Sequence, residues 1–202
     1  MTRQPLRRGY CFLVLLLAAL SWPSLWAHES AQPAQRLANI GEAADFSLTD
    51  QSGATFTMSD LKGKVVAINF IFTRCTHVCP MTTGKMVVIQ RKLGDAFARD
   101  VHFVSVSIDT LYDSPQVLER YSQALGIGPS GWSFLLGSVD EVKKVAMNYG
   151  VFFAQKAAGD VSHNQLTTLV DRDGFMRVQY MGERFDPDEM LHDIRELVSE
   201  PG

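Results

Sequence analysis

Two stretches, Val65 to Phe72 (VVAINFIF) and Val101 to Ile108 (VHFVSVSI), are rich in β-branched and aromatic side chains, the first almost wholly apolar and the second broken only by His102, Ser105 and Ser107. A strand with one wet face alternates apolar and polar residues. A strand that is apolar throughout must be covered on both faces, as in a parallel sheet flanked by helices. Between the two, Pro80 to about Phe97 suits a helix, so the pair reads as a β-α-β unit whose crossover should be right-handed.

Turn and cap chemistry extends that unit into a fold of the α/β class. Phe46 to Leu48 and Thr55 to Thr57 flank Asp50-Gln51-Ser52-Gly53, a hairpin signature. Ser114-Pro115 and Asp186-Pro187 each place a capping side chain before a proline, whose missing N–H costs nothing at the first helical position. Ser138 with Glu141, and Asp186 with Glu189, fit the capping box. Leu166 to Val170, Asp171 to Gly174 and Phe175 to Tyr180 read as a second hairpin, and the charged run Asp186 to Glu200 as the wet face of a closing amphipathic helix. With a short strand near Phe134 to Leu136, the order is hairpin, βαβα, strand, helix, hairpin, helix. We read it as a thioredoxin-like three-layer sandwich with an N-terminal β-hairpin and insertions, occupying residues 42–202. Residues 28–41, polar and alanine-rich, read as a mobile lead-in.

Residues 1–27 carry a different message. Arg3, Arg7 and Arg8 precede an apolar run from Cys11 to Leu20, which breaks at Ser21, Pro23 and Ser24 before Ala27. This is the layout of a secretory signal, so export to the periplasm is expected, with an uncleaved inner-membrane anchor as the alternative. Removing this segment leaves 16 basic against 22 acidic residues, and an acidic body argues against nucleic acid as partner. Cys11 leaves with the segment. The domain then holds two cysteines, Cys75 and Cys79, in a compartment that oxidises thiols.

Those cysteines sit in Phe70-Ile71-Phe72-Thr73-Arg74-Cys75-Thr76-His77-Val78-Cys79-Pro80, where a buried strand runs through a loop into a helix. Four residues apart on a helix, their β-carbons would lie roughly 5 to 6 Å apart, whereas a disulfide prefers about 3.8 Å. The spacing leans toward chelation and leaves redox chemistry open. A helix N-terminus favours thiolate over thiol, with Arg74 adding a positive charge, so lowered thiol pKa values are expected. Thiolates serve equally as nucleophiles and as ligands.

The stretch resembles the Sco/SenC family of copper metallochaperones, whose hallmark is a Cys-x-x-x-Cys-Pro loop after a strand, joined by a distant histidine. Further segments fit: Ser107-Ile108-Asp109 leading to Asp113-Ser114-Pro115, Phe134-Leu135-Leu136-Gly137, Tyr149-Gly150-Val151, and Val161-Ser162-His163 followed by Leu169 to Gly174. The resemblance spans roughly residues 42–199. It implies that His163 joins Cys75 and Cys79 as a copper ligand, with a Cys75–Cys79 disulfide in the oxidised form. It also implies delivery to the binuclear copper site of cytochrome c oxidase subunit II or a similar acceptor. Two thiolates and one imidazole suit Cu(I), which accepts three ligands. Some members carry Pro-Asp where Thr76-His77 stands, a departure that bears on loop stiffness and partner choice.

The competing reading is an enzyme, a dedicated thiol-disulfide oxidoreductase with Cys75 and Cys79 as its catalytic pair. Such proteins normally use Cys-x-x-Cys facing a cis-proline. Here no proline occurs between Pro129 and Pro187, and Gln165 and Leu166 stand near its expected place. Either function requires reduced thiols in an oxidising compartment, so a thiol reductant is an expected second partner. His77 is expected to face solvent; His28, His102 and His192 read as bystanders, although His28 would become the N-terminus after cleavage at Ala27. Tyr149, Phe152 and Phe153 read as core, and Asp109 and Asp113 as shaping a loop at the carboxyl edge of the sheet.

Overall fold

The computed structural model describes residues 37–76, 78–155 and 161–201. The expected signal or anchor, Cys11, His28, most of the lead-in and His77 lie outside the described residues.

The two apolar runs form β4 (Val65–Ile71) and β5 (Val101–Ser107), paired in parallel from Val65↔Val101 to Ile71↔Ser107. Every residue of β4 is buried. Its side chains alternate between two cores. Val65, Ala67 and Ile71 face a cluster built with the helices α1 (Val78–Leu93), α2 (Pro115–Ala124) and α4 (Pro187–Ser199). Val66, Ile68 and Phe70 face the other side, toward α3 (Val139–Asn148) and a 3-10 turn at Met58–Leu61.

Around this centre the sheet has eight strands. β9 (Leu166–Val170) lies antiparallel beside β4, followed by β10 (Phe175–Met181) and the two-residue β1 (Gly41–Glu42). On the other side come β6 (Trp132–Leu136), β2 (Ser47–Asp50) and β3 (Thr55–Thr57). This is the expected thioredoxin-like sandwich, with the N-terminal hairpin packed on β6. A separate pair, β7 (Phe153–Gln155) and β8 (Val161–His163), escaped the sequence reading because each strand has only three residues. Among the described residues, no helix is long and apolar enough to cross a membrane.

Several expectations need amendment. The first long helix starts at Val78 and ends at Leu93, the continuation at Gly94–Ala96 being a 3-10 turn. Ser138 and Glu141 form the reciprocal capping box. The Asp186 side chain instead accepts from the Asp188 N–H at 2.9 Å, so that its short carboxylate satisfies the second helical N–H rather than the third. Where the lead-in meets the domain the backbone joins the sheet edge: Ile40 N–H bonds Met176 O, and Ala43 N–H bonds Gly174 O, both at 2.8 Å. Phe152 is 66% exposed rather than core, whereas Tyr149 is buried and donates to Ala44 O at 3.1 Å.

One buried ion network holds that edge. The register of β9 and β10 slips between Met176 and Val178, and such a bulge re-aims the intervening side chain. Arg177 turns inward, 6% exposed, and donates to Asp171 Oδ2 at 2.9 Å, Glu200 Oε2 at 2.8 Å and Leu37 O at 3.0 Å. Removing one partner of such a group strands the others in low dielectric. Arg177→Ala is therefore expected to destabilise the fold by about 3–5 kcal/mol in denaturant unfolding.

His102 makes a second test. Its ring lies against Phe56, and its Nε2 is 2.9 Å from Ser133 Oγ. Burial, aided by the Lys64 charge, lowers its pKa from 6.5 to about 4. The unfolded chain binds this proton more readily than the folded one. The stability linked to His102 is thus complete above about pH 6.5 and lost as the pH falls toward 4, by up to about 3 kcal/mol. His102→Gln should flatten the stability profile over that window.

Candidate metal centre

At Ile71 the chain leaves the sheet, and Phe72 O accepts the Cys75 N–H at 3.1 Å, closing a tight turn. Helix α1 begins at Val78, so Cys79 is its second residue while Cys75 precedes it by three. Both carry thiols. They do not share a helix face, as the spacing alone suggested. The loop folds back so that Cys79 N–H donates to Cys75 Sγ at 3.4 Å, and the two side chains hydrogen-bond each other. Cys79 is 2% exposed and Cys75 half-buried.

The expected lowering of the thiol pKa is wrong for Cys79. Burial pushes it up to about 12, against the opposing pull of a backbone hydrogen bond from Phe72. Desolvation of a nearly enclosed thiolate outweighs the helix N-terminus, whose influence falls off within its first turn.

Asp109 and Asp113, suspected of shaping a loop, clamp the cysteine turn. Asp113 Oδ2 accepts from Thr73 N–H at 3.2 Å and from Ser107 Oγ at 2.6 Å. Arg74 donates through Nε and Nη2 to Asp109 Oδ2, at 2.9 and 2.6 Å, and its guanidinium lies 4.3 Å from the centre of the Tyr112 ring. The Asp109 partnership raises the Arg74 pKa further, so the cation is engaged with the loop after β5.

His163 arrives on the small β7–β8 hairpin, where it pairs with Phe153. Gln155 Nε2 ties that hairpin to Ile108 O at 3.1 Å, just beyond the end of β5. Asn164, which carried no signal in the sequence, fixes the ring. It takes the Phe152 N–H on Oδ1 at 2.6 Å and donates Nδ2 to Gly150 O at 2.9 Å, while its carbonyl lies 2.9 Å from His163 Nδ1. A carbonyl only accepts, so Nδ1 carries the proton and Nε2 holds a lone pair. That Nε2 is buried without a hydrogen-bond partner. Burial also lowers the imidazole pKa and so favours the neutral ring, the Asn164 carbonyl opposing it.

Phe72 joins the two halves. Its ring meets the His163 ring edge-on, centroids 6.1 Å apart, while its backbone bonds both cysteines. The fold therefore collects Cys75, Cys79 and His163 around one aromatic residue. Among the described residues the other histidines stand elsewhere: His102 pairs with Ser133, and exposed His192 lies 3.3 Å from Glu196 one turn along α4.

Comparison with known proteins identifies the family. The family model described as SCO1/SenC matches residues 34–199. The SCO1 protein homolog of Bacillus subtilis is 31% identical over 158 residues, covering 76% of this chain and 81% of that protein. Among solved structures, BsSco, described as having a disulfide switch and as a member of the Sco family of cytochrome c oxidase assembly proteins, is similar with a TM-score of 0.71. It is 28% identical and covers 83% of this chain and 100% of its own. Bradyrhizobium japonicum ScoI, solved with copper bound, gives 0.65 at 29% identity, covering 77% of this chain and 99% of its own. With the family model spanning nearly the whole described fold and a relative above 30% identity, the chain belongs to the SCO1/SenC family.

Proposed function

We propose that this protein is a copper carrier that binds the metal through Cys75, Cys79 and His163 and passes it to an acceptor during cytochrome c oxidase assembly. The observation that carries the reading is His163: a neutral imidazole with its Nδ1 proton committed to Asn164 O and a buried lone pair on Nε2 that no protein group satisfies. Metal-binding histidines are held this way, one ring nitrogen donating to a carbonyl so that the other faces the ion. Two thiols, Cys75 and Cys79, bond the backbone of the Phe72 on which this ring packs, although the three ligand atoms do not lie within 4.8 Å of one another here, and a sulfur, sulfur, nitrogen donor set suits Cu(I). The copper-bound ScoI structure supports the same reading.

The acceptor we favour is the binuclear copper site of cytochrome c oxidase subunit II, reached by ligand exchange. Half-buried Cys75 is the sulfur an incoming thiolate would displace first, and buried Cys79 the last. The N-terminal segment would place the domain outside the cytoplasm, exported or tethered to the inner membrane. Because the cysteines already touch through Cys79 N–H and Cys75 Sγ, a Cys75–Cys79 disulfide is the proposed oxidised form, and a reductant must open it before copper loads.

That contact also favours the second reading, a dedicated reductase for the acceptor's thiols. The raised Cys79 pKa makes it a poor attacking group near neutral pH, which leaves Cys75 as the nucleophile. His163→Ala separates the two roles. It should weaken Cu(I) retention by the reduced full chain by at least about 100-fold, beyond the loss usual for a group that merely orients a ligand, while thiol–disulfide exchange with a model protein disulfide stays within a few-fold. Metal analysis after desalting, paired with an exchange assay, reads both. Equal retention of copper by the variant would remove His163 from the ligand set; loss of exchange with retention of copper would favour the reductase.

A further inference from the structure

Behind Cys79 the packing is incomplete in a particular way. Asn69, Thr82, Gln165, Thr167 and Gly182 surround a cavity of about 10 Å3 that Cys79 also lines, roughly the space one water molecule needs. Two polar groups in its wall have no hydrogen-bond partner, Asn69 Nδ2 and Thr82 Oγ1. Their side chains are 2% and 7% exposed. A buried amide or hydroxyl left this way costs about 1–3 kcal/mol.

The orientation of Asn69 follows from chemistry. Trp132 Nε1 can only donate, and it donates to Ser105 Oγ at 3.0 Å. Ser105 spends its own proton on Asn69 Oδ1 at 2.7 Å. This buried chain from β6 through β5 to β4 makes Oδ1 the acceptor, so the Asn69 amide N–H2 is the end left over, in the wall of the cavity. The sequence also shows why space remains. Where thioredoxin-like reductases set a proline ring against the cysteines, this chain has Gln165 and Leu166, and Gly182, whose N–H donates to Gln165 O at 2.9 Å, adds no side chain.

We infer that Asn69 and Thr82 hold one ordered water against the back of Cys79, and that this water donates a hydrogen bond to the Cys79 sulfur. Asn69 Nδ2 donates to the water oxygen. The water gives one proton to Thr82 Oγ1 and the other to the sulfur, so both orphaned side-chain atoms gain a partner. Asn69 and Thr82 are then positioning residues, acting through the water on the side of Cys79 away from incoming metal. The hydrogen bond strengthens as sulfur gains negative charge, which holds the metal-bound form more firmly than the thiol. The inference deepens the proposed function and rests on Cys79 being a ligand.

The test uses the full chain and Cu(I) as the probe. A crystal structure of the reduced wild type should show a water within hydrogen-bond distance of Asn69 Nδ2, Thr82 Oγ1 and Cys79 Sγ. Thr82→Val keeps the shape and removes the hydroxyl. It should lose the water and release Cu(I) to a competing chelator about tenfold faster, while Thr82→Ser restores the wild-type rate. If Thr82→Val accumulates poorly, Thr82→Ala compared with Thr82→Ser makes the same comparison. An empty wild-type cavity, or a variant that loses the water yet releases copper at the wild-type rate, overturns the inference. A wild type that binds no Cu(I) at all overturns the copper reading instead, and the two failures are distinguishable because the water is seen without metal.

Discussion

The complete burial of β4 decides where this protein can do chemistry. With all seven residues covered, the strand cannot present a side chain directly to an incoming metal or partner along its length. The first place its direction meets partly open space is Phe72, at the carboxyl end, the edge at which α/β sheets assemble their sites. The cysteine turn, the Asp109–Asp113 clamp and the His163 hairpin all converge on that end, and each is bonded to the end of β4 or β5.

Burial also sets the chemistry of the sulfur pair. A thiol at a helix start in solvent would lose its proton readily, but here enclosure wins and Cys79 keeps it. Cys75, on the open side, is the accessible partner. The asymmetry gives the pair an inner and an outer sulfur, which suits stepwise release of a bound ion. The imidazole is desolvated by the same packing and stays neutral, the form in which histidine binds metals.

Among the described residues, the buried polar atoms that lack a protein partner include His163 Nε2, Asn69 Nδ2 and Thr82 Oγ1. His163 stands against Phe72, and the other two border Cys79. Thr110 Oγ1 and Arg172 Nε also lack a protein partner, whereas Arg177 reaches four protein oxygens drawn from three separate segments. Departures from full satisfaction concentrated near one site are what a functional centre leaves in an otherwise consistent fold.

Local sequence determined a good deal. The β-branched runs at 65–72 and 101–108 could only be doubly covered strands, Ser114-Pro115 and Asp186-Pro187 could only open helices, and the cysteine spacing with Pro80 marked the candidate site. Each is a short-range rule of sterics or capping, readable within about ten residues. Tertiary structure decided the rest: that Cys79 is buried deeply enough to raise its pKa, that Arg177 turns inward at a bulge, that Phe72 packs on a histidine 84 positions beyond Cys79, and that Asn69 and Cys79 line one small cavity. Those outcomes depend on which strands become neighbours. Solvation and hydrogen-bond direction are properties of the assembled surroundings, which no local stretch of residues contains.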